Sequence, residues 1–103
     1  MGKTAFLIVD MQNDFCLPGA PFEVKGAMGV ARNIRRALEA CRQHKLPVVH
    51  VFRYYRPDGS DVEITRYDKF MQVGGALIEG TKGGEIVEEL KPLAGEYLVC
   101  KRR

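Results

Sequence analysis

Three things are scarce in this sequence: cysteine, net charge and long apolar runs. The 103 residues hold three cysteines, Cys16, Cys41 and Cys100, far apart and with no C-x-x-C pair among them. An odd, scattered set argues against a disulfide framework and against a thiolate zinc site, and it suits a reducing compartment. Sixteen basic against thirteen acidic side chains leave a net charge of +3. So slight an excess points neither to nucleic acid nor to a membrane surface as a partner. No apolar run has the length needed to cross a bilayer. The first residues lead straight into a strand-like run, without the longer apolar stretch and small-residue cleavage site of a signal peptide. Phe6 stands where a myristoylation pattern needs Ser or Thr. The expected location is cytoplasmic, and no membrane partner is expected.

What is present reads as one ordinary globular unit, with 46% hydrophobic and 28% charged residues. Residues 5–9 form a continuous apolar run closed by Asp10. Short runs without polar alternation suit strands buried on both faces, as in parallel sheets. Residues 11–26 are dense in turn formers and read as a loop. From residue 27 to 44 the period changes: Ala27, Ala31, Ile34, Leu38 and Cys41 recur at three- and four-residue steps, with Val30 and Ala37 beside them. This predicts an amphipathic helix, its arginines on a solvated face and Glu39 pairing Arg35 or Arg42. Pro47 ends the helical region, residues 48–52 read as a second buried strand, residues 85–90 as a short helix and residues 97–100 as a third strand. Residues 53–80 mix aromatics, charges and glycines without a readable period.

The β-loop-α-β order argues for a right-handed crossover, hence an α/β fold with a mostly parallel sheet. Three strands and about two helices make a small core, and a parallel sheet needs cover on both faces. At least one sheet edge would stay open. The expectation is that residues 1–103 are the N-terminal half of a single domain. More polypeptide would complete it: a missing C-terminal half, a second chain or a swapped copy, the last making the protein a homo-oligomer.

Two charged residues end strands. In open α/β sheets ligands bind beyond the carboxyl ends of the strands, so Asp10 is a site candidate. An aspartate that opens a turn is as good a reading on spacing alone. Lys101 follows the third strand as Asp10 follows the first, and parallel strands would bring both to one end of the sheet. A solvated terminal lysine is the plainer alternative.

Residues Phe6 to Phe15, FLIVDMQNDF, resemble the opening signature of the isochorismatase-like cysteine hydrolases. LPVVHV at 46–51 is similar to that family's second strand, GTKGGEI at 80–86 to its glycine-threonine loop, and GEYLVCK at 95–101 to the strand ending in its catalytic lysine. The four segments stand in family order along the whole chain. The resemblance implies a three-layer, Rossmann-like α/β/α fold, here incomplete. It also implies a hydrolase that cleaves an amide or ureido C–N bond of a small-molecule substrate through an Asp-Lys-Cys triad. Asp10 matches the family's aspartate and Lys101 its lysine. The nucleophilic cysteine belongs after the next strand, and none of the three cysteines here matches it. Cys41 and Cys100 read as buried packing residues, and Cys16, near the site by sequence, is the one in-chain thiol worth testing.

Nicotinamidases of the family bind a divalent metal through an Asp and several His after the second strand. That stretch here, residues 53–59, has no histidine, so no metal and no cofactor are expected. Gln12, Phe15, Arg53 and Tyr54 lie beyond strand ends and are the candidate substrate-binding residues. The competing reading is a catalytically inactive chain that serves as a self-associating or interaction module.

Overall fold

A computed structural model describes residues 3–101. Three strands, β1 (Phe6–Val9), β2 (Val48–Arg53) and β3 (Tyr97–Lys101), form one parallel sheet in the order β1-β2-β3. The helices are α1 (Asn13–Cys16), α2 (Ala27–Gln43) and α3 (Ile64–Gln72), and a 3-10 turn spans Glu88–Leu90. Among the described residues no helix is long and apolar enough to cross a membrane.

The sheet has two unlike faces. Its register sets Phe6 and Ile8 beside Val48 and His50, and Leu7 and Val9 beside Val49 and Val51. Ile8, Val48 and His50 are buried, and α2 packs on β1 and β2. Ala27, Ala31 and Leu38 are the buried positions of α2; Ile34 and Cys41 are half-buried, and Val30 is exposed. Leu7, Val9, Tyr97 and Val99 are exposed, Tyr97 at 61%. The expectation of strands buried on both faces therefore holds within this chain for one face of β1 and β2 only, and for neither face of β3, where Leu98 is exposed as well. Cys100 is also exposed and Cys41 is half-buried, against the expectation that both are packed away. The cause is position: Cys100 lies on an edge strand, β3, exposed along nearly its whole length.

Two elements depart from the sequence reading. α3 arises inside the stretch that showed no period, and residues 85–90 are not a helix. A bridge between Gln12 and Ile86, and the bond from Val87 N–H to the Met11 carbonyl, 2.9 Å, hold 86–87 extended. Only 88–90 turns, as a 3-10 segment.

The arginines of α2 fasten this segment down rather than facing solvent alone. Arg35 pairs with Glu39 as expected, at 2.8 Å, and also donates to the Glu89 carbonyl. Arg42 turns away from Glu39: it grips both carboxylate oxygens of Glu96 and donates to the Lys91 carbonyl. Glu96 also accepts from Leu93 N–H and meets the Nε2 of fully buried His50 at 2.8 Å.

Candidate active site

Asp10 is the residue at which β1 stops. Its amide still donates to the Val51 carbonyl, 2.9 Å, but its backbone turns left-handed, φ 60°. That conformation costs an L-residue about 1–2 kcal/mol, and aspartate tolerates it better than most. The turn breaks the strand alternation and frees the carboxylate to leave the β1 row. Lys101 closes β3, level with Arg53. β1 and β3 are separated by β2, roughly 10 Å in all. The long lysine side chain covers that gap, and Nζ donates to Asp10 Oδ2 at 3.0 Å. Both side chains are about one-third exposed (30% and 33%), so the pair is reachable from solvent. The other oxygen, Asp10 Oδ1, is buried and has no hydrogen-bond partner among the described residues.

Residues 12–14 build the floor around this pair. Gln12 is fully buried. Its amide nitrogen donates to the carbonyls of Arg53, 2.7 Å, and Gly84, 2.9 Å, while its oxygen accepts from Arg53 N–H, 2.8 Å. Asn13 donates its side-chain N–H to the Lys82 carbonyl, 2.7 Å. Asp14 accepts from Leu77 N–H, 2.7 Å, and so fixes a buried leucine in a left-handed turn, φ 56°. The backbone N–H groups of Asn13 and Asp14 donate to the carbonyls of Glu85 and Gly83. These contacts explain the paired glycines. A Cβ on Gly83 would stand 2.3 Å from the Asp14 carboxylate, and one on Gly84 would stand 2.5 Å from the Ile78 carbonyl oxygen. The segment after Asp10 is thus a clamp that binds the 77–87 loop to the end of the sheet.

A cavity of about 500 Å³ opens beside Asp10, a size suited to a small organic molecule. Its wall includes Met11, Phe15, Phe22, Val24 and Arg66. Phe15 therefore shares a space with Asp10. Gln12 does not line it, because its amide is spent on backbone. Arg53 is buried, donating to the Glu63 carboxylate and to the Tyr55 hydroxyl. Tyr54 lines a separate cavity of about 210 Å³ with Phe52, Ile86 and Leu98, on whose wall neither Asp10 nor Lys101 appears. Burial, and then the Glu79 charge, push the Tyr54 phenol above its ordinary value. Arg66 and Met11 were not singled out from sequence; Arg66 lies in the stretch without a period, and nothing in its spacing marks it.

Cys16 borders the Asp10 cavity but is buried, and burial, with the Glu89 charge second, pushes its thiol up. That is the environment of an inert cysteine rather than a nucleophile. Among the described residues no group of three or more His, Cys, Asp or Glu could hold a metal ion.

The isochorismatase domain matches residues 4–103. The chain belongs to the isochorismatase family. An isochorismatase family protein from Desulfovibrio vulgaris, known by crystal structure, is 47% identical and superposes with a TM-score of 0.86, over 94% of this chain and 51% of that one. A probable inactive nicotinamidase of Arabidopsis thaliana is 40% identical over 89 residues, 85% of this chain and 45% of its own length. A ureidoacrylate amidohydrolase of Agrobacterium fabrum is 30% identical over 120 residues, 98% of this chain and 52% of its own. The chain thus spans about half the length of the relatives it matches. Its sheet and helices are a partial α/β fold of the isochorismatase type.

Proposed function

We propose that the chain supplies the acid–base half of a hydrolytic centre that cleaves an amide or ureido C–N bond of a small molecule. The observation that carries this reading is the 3.0 Å Lys101–Asp10 pair, whose aspartate lines a small-molecule cavity and whose second carboxylate oxygen has no hydrogen-bond partner among the described residues. One carboxylate oxygen is held by a cation while the other is left to accept a proton.

The chemistry needs a thiol from polypeptide equivalent to the relatives' other half. Asp10 Oδ1 takes the thiol proton, and the Lys101 ammonium holds the carboxylate in place and favours the thiolate. The thiolate adds to the carbonyl carbon, and fixed N–H donors meet the developing oxyanion. The tetrahedral adduct collapses, the C–N bond breaks, and the leaving nitrogen takes the proton back from Asp10. Water then attacks the thioester, giving its proton to Asp10; the C–S bond breaks, the expelled thiolate takes that proton back, and the carboxylic acid is released. Each proton taken up is returned within the cycle.

Ammonia release from a panel of primary amides and ureido acids, measured on the protein as the cell makes it, tests this. Asp10→Asn should lower kcat by about a hundredfold or more while leaving the circular dichroism spectrum and Tm near those of the wild type. Near-normal turnover in that variant, or no turnover of any panel member by the wild type, would overturn the reading.

The exposed Leu7, Val9, Tyr97 and Val99 favour a second reading, a non-catalytic module whose open sheet face seats a second copy. A strictly monomeric protein in sedimentation would remove it.

A further inference from the structure

β3 is an outer strand of the sheet, and its pairing with β2 uses only one of its edges. Phe6 N–H donates to the Pro47 carbonyl and Asp10 N–H to the Val51 carbonyl, so the odd-numbered residues of β2 turn their backbone groups to β1. Alternation then turns those of His50 and Phe52 to β3. His50 is level with Leu98 and Phe52 with Cys100. In a parallel pair such a residue bonds to the two neighbours of the one it is level with. Tyr97, Val99 and Lys101 are thus spent on β2, and the N–H and carbonyl groups of Leu98 and Cys100 point outward.

Nothing guards this edge. Residues 97–100 hold no proline, glycine or charge, and their side chains are exposed on both faces. A strand of that kind is a template for another. Polypeptide like the relatives' other half has a different edge to use. Ligands in open α/β sheets bind where the strand order reverses, and the Asp10 cavity lies at the end of β1. Strands added beside β1 leave β3 outermost. That placement rests on the reading of the cavity as the substrate site.

We propose that two copies of the protein join edge to edge through β3, antiparallel about Val99, into one continuous sheet. With Val99 on the two-fold axis, Leu98 of each copy stands opposite Cys100 of the other, and each such pair exchanges both N–H···O bonds. An axis at Leu98 is poorer. It would set Cys100 opposite Glu96, whose N–H is already given to the Leu93 carbonyl. The Val99 register opposes no like charges, because Lys101 faces Tyr97 and its ammonium is held by Asp10. It also brings the second copy beside the cavity of about 210 Å³ where Leu98, Phe52 and Pro92 form an apolar wall. This edge is separate from the open face of Leu7, Val9, Tyr97 and Val99.

Sedimentation of the protein as the cell makes it should give a dimer. The Leu98 and Cys100 amides should exchange with deuterium about a hundredfold more slowly than in a free peptide. Across the axis the two Val99 Cα atoms lie about 4.5 Å apart, within disulfide reach. The two Cys100 residues are diagonal neighbours at about 7–8 Å, too far to be bridged. Val99→Cys combined with Cys100→Ser should therefore form a covalent dimer under oxidised glutathione about tenfold faster than the wild type does. A monomer overturns the proposal, even one with protected amides, since its own chain then holds the edge. So does a dimer whose Leu98 and Cys100 amides exchange freely, which moves the contact to the open face, or one whose Val99→Cys variant cross-links no faster than the wild type. The wild-type measurements stand whether or not the variant folds. None of them needs turnover, so the edge is decided separately from the hydrolytic reading.

Discussion

Gln12 brings one side-chain amide to three backbone groups, two carbonyls and an N–H, at a fully buried position. Only an amide has both the two donors and the acceptor this needs. Gln12→Ala would leave the Arg53 N–H and the Arg53 and Gly84 carbonyls buried without partners. Each unsatisfied group costs roughly 1–3 kcal/mol, and partial relaxation brings the expected total to about 3 kcal/mol. A fall in the urea midpoint with an unchanged slope would show this; a loss below about 1 kcal/mol would mean the clamp carries no weight. Asp10 and Lys101 could be found from sequence because each closes a recognisable apolar run, so the strands located them. Gln12 could be placed next to the site but not given its task, since an amide clamp leaves no periodic trace. Arg66 and Glu63 gave no signal at all, because their partners come together only when the 53–80 stretch folds.

At the scale of elements, α2 was legible because burial imposed a period on it, and β1, β2 and β3 because each is a short continuous apolar run. α3 was not: Ile64 is 91% exposed, Tyr67 and Met71 are exposed, and only Phe70 of its residues is buried. Its apolar residues, Ile64, Tyr67, Phe70 and Met71, do recur at three- and four-residue steps, but over only nine residues set among glycines and charges. The short helix expected at 85–90 failed for a different reason, since long-range bonds from Met11 and Gln12 took the backbone first. The junction of α2 with the start of β3 depends on Glu96, whose carboxyl is lowered from its ordinary 4.5 to about 2, chiefly by hydrogen bonding to Arg42 and further by Leu93 N–H and His50. A lowered acid contributes stability above its unfolded value and loses it as pH falls through the folded one. Glu96 should therefore stabilise the fold fully above pH 4.5, by up to about 3 kcal/mol, and lose that contribution between about pH 4.5 and 2. Thermal melts across this range should fall for the wild type and fall less for Glu96→Gln, which starts lower at neutral pH. Parallel curves for the two proteins would place the acid sensitivity elsewhere.

For the whole molecule, the strand order and the open face belong together. β1 has a free edge, and Leu7, Val9, Tyr97 and Val99 present an apolar surface of the kind a parallel sheet ordinarily covers. The relatives are about twice as long, which accords with a sheet only partly clothed by these residues. The parallel sheet was readable from the order of its segments, and the convergence of Asp10 and Lys101 at one end of it follows from that parallelism. The most direct check is zero-length carbodiimide coupling, which joins an amine to a carboxylate only where they already touch. Both partners are about one-third exposed and 3.0 Å apart. Mass spectrometry of a chymotryptic digest should find an amide bond between Lys101 and Asp10, absent from Asp10→Asn. Coupling within the Lys25–Glu23 pair but none between Lys101 and Asp10 would contradict the site.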